Sequence, residues 1–118
     1  MIFLLTVFAG AVGAVARYLV DDAAKRRWPG VFPGPTFAIN ITGCLTIGFI
    51  AGLVLFAGAS HDWLMVVGTG FCGGYTTFST AAVETIRDGG RRGVVYGAGT
   101  LIGSVAACAL GLWLGWLV

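Results

Sequence analysis

Four long apolar stretches separated by three short polar ones set the plan of the chain. Residues 1–20 are apolar apart from Arg17, and 21–35 form a polar connection holding Lys25-Arg26-Arg27 and the breakers Pro29, Gly30, Pro33 and Gly34. Residues 36–57 are apolar again, 58–62 make a short turn, 63–86 are mostly apolar, and 87–92 make a basic turn with two glycines. From 93 to 118 no residue is charged. A helix needs about 20 apolar residues to cross roughly 30 Å of hydrocarbon, and each stretch supplies them. Pro35 suits the first turn of the second helix. The first stretch is apolar from Met1, lacks a basic leading segment and is longer than a signal-peptide core, so a retained helix is expected there. The predicted fold is a single all-α membrane domain over 1–118 with four transmembrane helices.

Composition agrees with lipid as the main solvent. The chain is 58% hydrophobic and 10% charged, against about 25% charged in a soluble domain. A net charge of +2, with no basic patch interleaved with aromatics, gives no sign of nucleic acid. Cys44, Cys72 and Cys108 fall in different apolar stretches, without a C-x-x-C, and His61 is alone in a turn. Small packing residues are the expected role of these thiols. No nucleophile–base pair or metal cluster is legible, so no enzyme is expected.

Glycine occurs 20 times. Helices in lipid associate by close backbone packing, which small residues permit. Gly99, Gly103, Ala107, Gly111 and Gly115 recur every four residues and predict one smooth stripe, and Gly48-x-x-x-Gly52 predicts another on the second helix. Four thin helices bury little alone, so an oligomer is expected. Trp63, Trp113 and Trp116 fit interfacial belts.

Polar residues inside hydrocarbon carry the functional information, since each needs a partner. Gly73-Gly74 followed by Thr76-Thr77 is poor helix material. A helix broken there at mid-membrane would expose carbonyls able to hold a small cation; close packing with hydroxyls bonded back to their own helix accounts for the same residues. Thr36 and Asn40 share a helix face at i, i+4 spacing, and Tyr96, Thr100 and Ser104 repeat it on the fourth helix. Together with Ser79 and Thr80 these ladders point to a path as well as to interhelical glue. Arg17 lies about one turn from the expected end of its helix, where snorkelling accounts for it. Glu84, also near a helix end, is free to face water.

Three segments resemble the Fluc (CrcB) family of fluoride channels. Gly10-Ala-Val-Gly13-Ala14-Val-Ala-Arg17-Tyr18 is similar to the family's G-G-x-x-G-A-x-x-R-Y, with Ala9 in place of the first glycine. Asn40-x-x-Gly43 is the second, and Gly73-Gly74-Tyr75-Thr76-Thr77-Phe78-Ser79-Thr80 is similar to G-G-x-T-T-F-S-T-F. The resemblance implies an antiparallel dimer with two narrow pores passively exporting fluoride across the plasma (inner) membrane. It implies a structural sodium ion at the dimer centre on the carbonyls of Gly73 and Thr76. Its pore residues match Asn40, Phe78, Thr36, Ser79, Thr80, Tyr96, Thr100 and Ser104, and Glu84 aligns with an acidic vestibule residue; Arg17 is structural. Where the family has a second pore phenylalanine, this chain has Ala81.

Such a pore replaces the water of a tightly hydrated anion with neutral donors, each charge-assisted hydrogen bond contributing roughly 1.5–3 kcal/mol. Asn40, Ser79, Thr80 and Ser104 are donors, and Phe78 offers an electropositive ring edge. A partner subunit of a heterodimer with one working pore is an alternative, as is a small proton-coupled exporter. The latter needs an acid deep in the first helix, and none lies in 1–20. All seven Lys and Arg flank the first and third connections. The positive-inside rule then expects both termini outside and those connections in the cytoplasm. Seven charges against none favours pairing with an oppositely inserted relative over a homodimer.

Overall fold

Apolar runs become helices wherever no glycine or proline cluster interrupts them, and no strand forms. The computed structural model describes residues 1–118 and extends 45 × 28 × 23 Å, about the thickness of a bilayer with its headgroups along its long axis. Helix α1 spans Ile2–Arg27 and α2 spans Pro35–Phe56. Helix α3 covers 61–75 as three continuous pieces, His61–Trp63, Leu64–Cys72 and Gly73–Tyr75. Its middle piece is wound as a π-helix, which widens each turn to i→i+5 bonds. After two extended residues, α4 spans Phe78–Asp88 and α5 spans Gly90–Trp116. Helices α1, α2 and α5 are each long and apolar enough to cross a membrane.

Two boundaries differ from the hydropathy reading. Helix α1 continues seven residues beyond residue 20, because Lys25 pairs with Asp21 at 2.7 Å and Arg26 with Asp22 at 3.0 Å across one turn. These exposed i, i+4 pairs and the basic residues of the last turn suit a helix C-terminus in water. Only 28–34 remain as connection. Helix α5 begins three residues early, at Gly90, because Gly89 (φ +61) and Gly90 (φ +51) make the turn without a residue to spare.

The bundle is two close helix pairs. Helix α1 packs on α3, and α2 packs on α5 along most of its length. A Cβ at Gly48 would run into the carbonyl of Cys108, one at Gly111 into that of Leu45, and Gly52 abuts the backbone of Gly115. At the α1–α3 contact, Gly74 sits on the carbonyl of Gly10 and Gly13 on that of Phe71. The predicted stripe on α5 is engaged only in part: Gly99 is exposed and meets no atom within 4 Å. Helical residues advance by about 100°, so 16 positions carry Gly99 about 160° away from Gly115. The faces turned outward are apolar; on α1, Phe3, Leu4 and Phe8 are 69–76% exposed.

Candidate functional site

Extended residues inside a helical bundle leave backbone groups without helical partners, and the site is built around those of Thr76 (φ −78, ψ 161) and Thr77 (φ −148, ψ 122). Asn40, buried on α2, answers them. Its Nδ2 donates to the Thr77 carbonyl at 2.9 Å, and its Oδ1 accepts from the Thr77 N–H at 2.8 Å. A carboxamide is suited to this because it carries a donor and an acceptor side by side. Thr77 also caps α4: its Oγ1 accepts from the Thr80 N–H at 3.2 Å and lies within hydrogen-bond reach of the Thr80 and Ser79 hydroxyls. The Thr76 carbonyl accepts from the Arg17 guanidinium at 3.4 Å, 59 positions away in sequence.

Arg17 therefore turns inward rather than snorkelling. The physical reason is the extended α1, which places Arg17 ten residues, or about 15 Å, from the helix end. Six of the seven cations lie at the basic end of the bundle and Arg17 lies within it.

A second cluster lies one to two turns toward the basic end. The Glu84 carboxylate accepts from the Thr36 hydroxyl at 3.1 Å and from the Tyr96 hydroxyl at 2.5 Å, joining α4 to α2 and α5. Thr36 and Tyr96 are both buried. Glu84 thus reaches into the bundle, whereas its position near a helix end suggested that it faces water.

Between α2, α4 and α5 a groove of about 510 Å³ opens beside the extended residues. Asn40, Thr77, Thr100 and Ser104 supply its polar wall, and Phe78, 88% exposed, stands at its edge. Ala81 and Ala82 leave its floor wide. The Thr100 hydroxyl is buried there without any hydrogen-bond partner. A buried hydroxyl without a partner costs free energy, which a small shift toward the Tyr96 hydroxyl one turn away on α5, or a group entering the groove, would relieve.

The predicted residues thus fall into two connected groups. Asn40, Phe78, Thr100 and Ser104 line the groove, while Thr36, Glu84 and Tyr96 join near the basic end. Ser79 and Thr80 are exposed on the far side of Thr77, where Thr80 shares a separate cleft with Arg17 and Thr36. Thr77 was not among the expected site residues; the helix-poor Thr-Thr pair, followed three positions on by a hydroxyl residue, is the signal that would have found it.

The donor chemistry around Gly73 and Thr76 fits a hard monovalent cation. The Thr77 N–H, which would bond the Gly73 carbonyl in a helix, goes to Asn40, and the Thr80 N–H goes to Thr77 Oγ1 instead of the Thr76 carbonyl. Both carbonyls are neutral oxygens released from helical pairing; Gly73 is exposed with open space beside it, while the Thr76 carbonyl already accepts from the Arg17 guanidinium, whose charge opposes a second cation there. One chain supplies two such oxygens, fewer than a hard cation takes.

Residues 4–116 match the model of a family described as CrcB-like protein, Camphor Resistance (CrcB). The chain belongs to the CrcB family. Over 99% of its length it is similar to a fluoride-specific ion channel FluC 1 of Leifsonia xyli, 41% identical over 121 residues and covering 88% of that protein. A FluC 2 of Cutibacterium acnes is 43% identical, with 98% of each chain covered, and a FluC 1 of Streptomyces avermitilis is 45% identical over 104 residues. The CrcB match runs through α1, α2, α3, α4 and α5, so it takes in the groove, the Asn40–Thr77 clasp and the Glu84 cluster together.

Proposed function

We propose that this CrcB chain is a subunit of a fluoride-selective channel that passively exports fluoride from the cytoplasm. The partnerless Thr100 hydroxyl in a groove beside Phe78 carries the reading, in a chain whose relatives are named fluoride-specific ion channels. Fluoride shed of water needs donors along its way. The free hydroxyl of Thr100, the second amide hydrogen of Asn40 and the hydroxyl of Ser104 are such donors, and the ring edge of Phe78 completes the wall. Neutral donors in place of a fixed cation let the ion leave as readily as it enters.

In this reading α3 and α4 together form one interrupted crossing, with Thr76 and Thr77 within the membrane. Two subunits meet antiparallel over the faces carrying Gly73 and Phe78, which makes two pores. Gly73 and Thr76 of both subunits would be the residues to hold a structural sodium ion, and a positive charge there would offset the repulsion between their carbonyl dipoles. Thr36, Ser79, Thr80, Tyr96 and Glu84 line the approaches, and Arg17 braces the Thr76 carbonyl.

The cation count supports a second form of the reading, in which both termini lie outside and the native partner is a related chain of opposite orientation. Six cations at one end and none at the other make insertion in both directions costly. Ala81 on the groove floor removes bulk that such a partner would supply.

Fluoride release from vesicles tests the function. Purified protein, alone or with an oppositely inserted relative, is expected to release fluoride while retaining chloride, with no need for a proton gradient. Release that stops when the proton gradient is collapsed would assign the chain to coupled exporters instead.

A further inference from the structure

Helices α2 and α5 both start at the basic end and run away from it, and their polar residues face each other at intervals of four. Thr36 lies level with Tyr96, Asn40 with Thr100, and Cys44 with Ser104. Four residues advance a helix by about 6 Å, so these pairs are successive rungs on one face of each helix. The next rung, Gly48 opposite Cys108, is closed: a Cβ at Gly48 would run into the Cys108 carbonyl. Gly52 against Gly115 keeps the seam shut beyond it. The wall of the groove accordingly stops at Cys44 on α2 and at Ser104 on α5. An ion following the rungs from the basic end has no further way between these helices, and leaves through the open face of the groove at the third.

Packing accounts for Cys72, which is 2% exposed, and for Cys108, which is off the groove wall. It does not account for Cys44, a partly exposed thiol on that wall with the Ser104 hydroxyl beside it. One rung back, the Thr100 hydroxyl lines the same groove, 7% exposed and without a partner. We propose that Cys44 is a further residue of the ion path, giving its S–H to the ion at the last rung, beside Ser104, before the ion turns out of the groove. A thiol is a weaker donor than a hydroxyl, so it holds the ion least where the ion has to be let go. Sulfur also marks this rung chemically. A soft monovalent cation such as silver binds a thiol sulfur in preference to amide and hydroxyl groups. The proposal rests on the groove being the path of fluoride.

The test uses the full chain in vesicles, in a nitrate medium free of chloride so that silver ion stays dissolved. Silver takes the place of the thiol proton, which passes to water, and the new sulfur–silver bond plugs the third rung. Fluoride release from the wild type should then fall at least about tenfold. Cys72→Ala and Cys108→Ala should stay as sensitive, whereas Cys44→Ala and Cys44→Ser should be indifferent to silver. Without silver, Cys44→Ala should release fluoride about threefold more slowly, and Cys44→Ser, which puts a hydroxyl donor back, should restore the rate. A silver block that persists in both Cys44 variants, or a Cys44→Ala rate equal to that of the wild type, would return Cys44 to packing and overturn the proposal. Bound silver is counted by native mass spectrometry, which keeps two failures apart. A chain that releases no fluoride, with or without silver bound, fails the fluoride reading and this proposal with it. A chain that releases fluoride equally well with silver on Cys44 and without it fails this proposal alone.

Discussion

Toward its C-terminal end α2 meets α5 through bare backbone, at Gly48 and Gly52 against Cys108, Gly111 and Gly115. Toward its N-terminal end the same helix meets α4 and α5 through side chains, at Thr36 and Asn40. The first contact leaves no polar group to satisfy and no space for an ion. The second takes up the N–H and the carbonyl of Thr77, and holds one hydroxyl more than it satisfies. Within one helix, small residues close the bundle at one end, and hydrogen-bonding residues border the open groove at the other.

The sharpest way to break that contrast is at Asn40. Asn40→Leu orphans the N–H and the carbonyl of Thr77 together, at about 1–3 kcal/mol each. Folded stability in detergent should fall by about 2–6 kcal/mol, and fluoride release should vanish with it. Lost release with stability unchanged would mean that Asn40 serves the ion alone.

Gly48→Leu comes next. Its side chain enters the Cys108 carbonyl, so the α2–α5 seam must part, at about 1–3 kcal/mol for overpacking. The same change at Gly99, which faces open space, should stay within about 0.5 kcal/mol. Thermal unfolding of the two variants side by side measures the difference. Equal losses would refute the contrast between the packed α2–α5 seam and the open end of the stripe at Gly99.

A smaller effect is expected at Arg17. Its 3.4 Å bond to the Thr76 carbonyl is long, so Arg17→Gln should cost about 1 kcal/mol and lower fluoride release without abolishing it. Unfolding and release measured on one preparation decide whether Arg17 is a brace or a bystander.

Hydropathy made the helices legible because lipid leaves an apolar run little choice but a helix. It misplaced the end of α1, since Asp21, Asp22, Lys25 and Arg26 look like a loop until they are placed a turn apart and pair. That error propagated to Arg17, whose reach to Thr76 depends on where its helix stops. The gathering of polar residues was legible from their i, i+4 spacing. Their division into a clasp at Thr77, a cluster at Glu84 and a free hydroxyl at Thr100 was not, because partners 48 and 37 positions apart are chosen by packing. The π-helical turns of Leu64–Cys72 left no mark in the pattern, since a change from i→i+4 to i→i+5 moves apolar residues among other apolar residues.

Thr100→Val tests the central claim most directly, because stability and conduction should move in opposite directions. Removing a buried hydroxyl that has no partner while keeping its shape should leave the fold as stable or raise it by about 1 kcal/mol. Fluoride in the groove loses a charge-assisted donor, so release from vesicles should fall about ten- to hundredfold. A Thr100→Val subunit that releases fluoride at the wild-type rate would contradict a path through this groove.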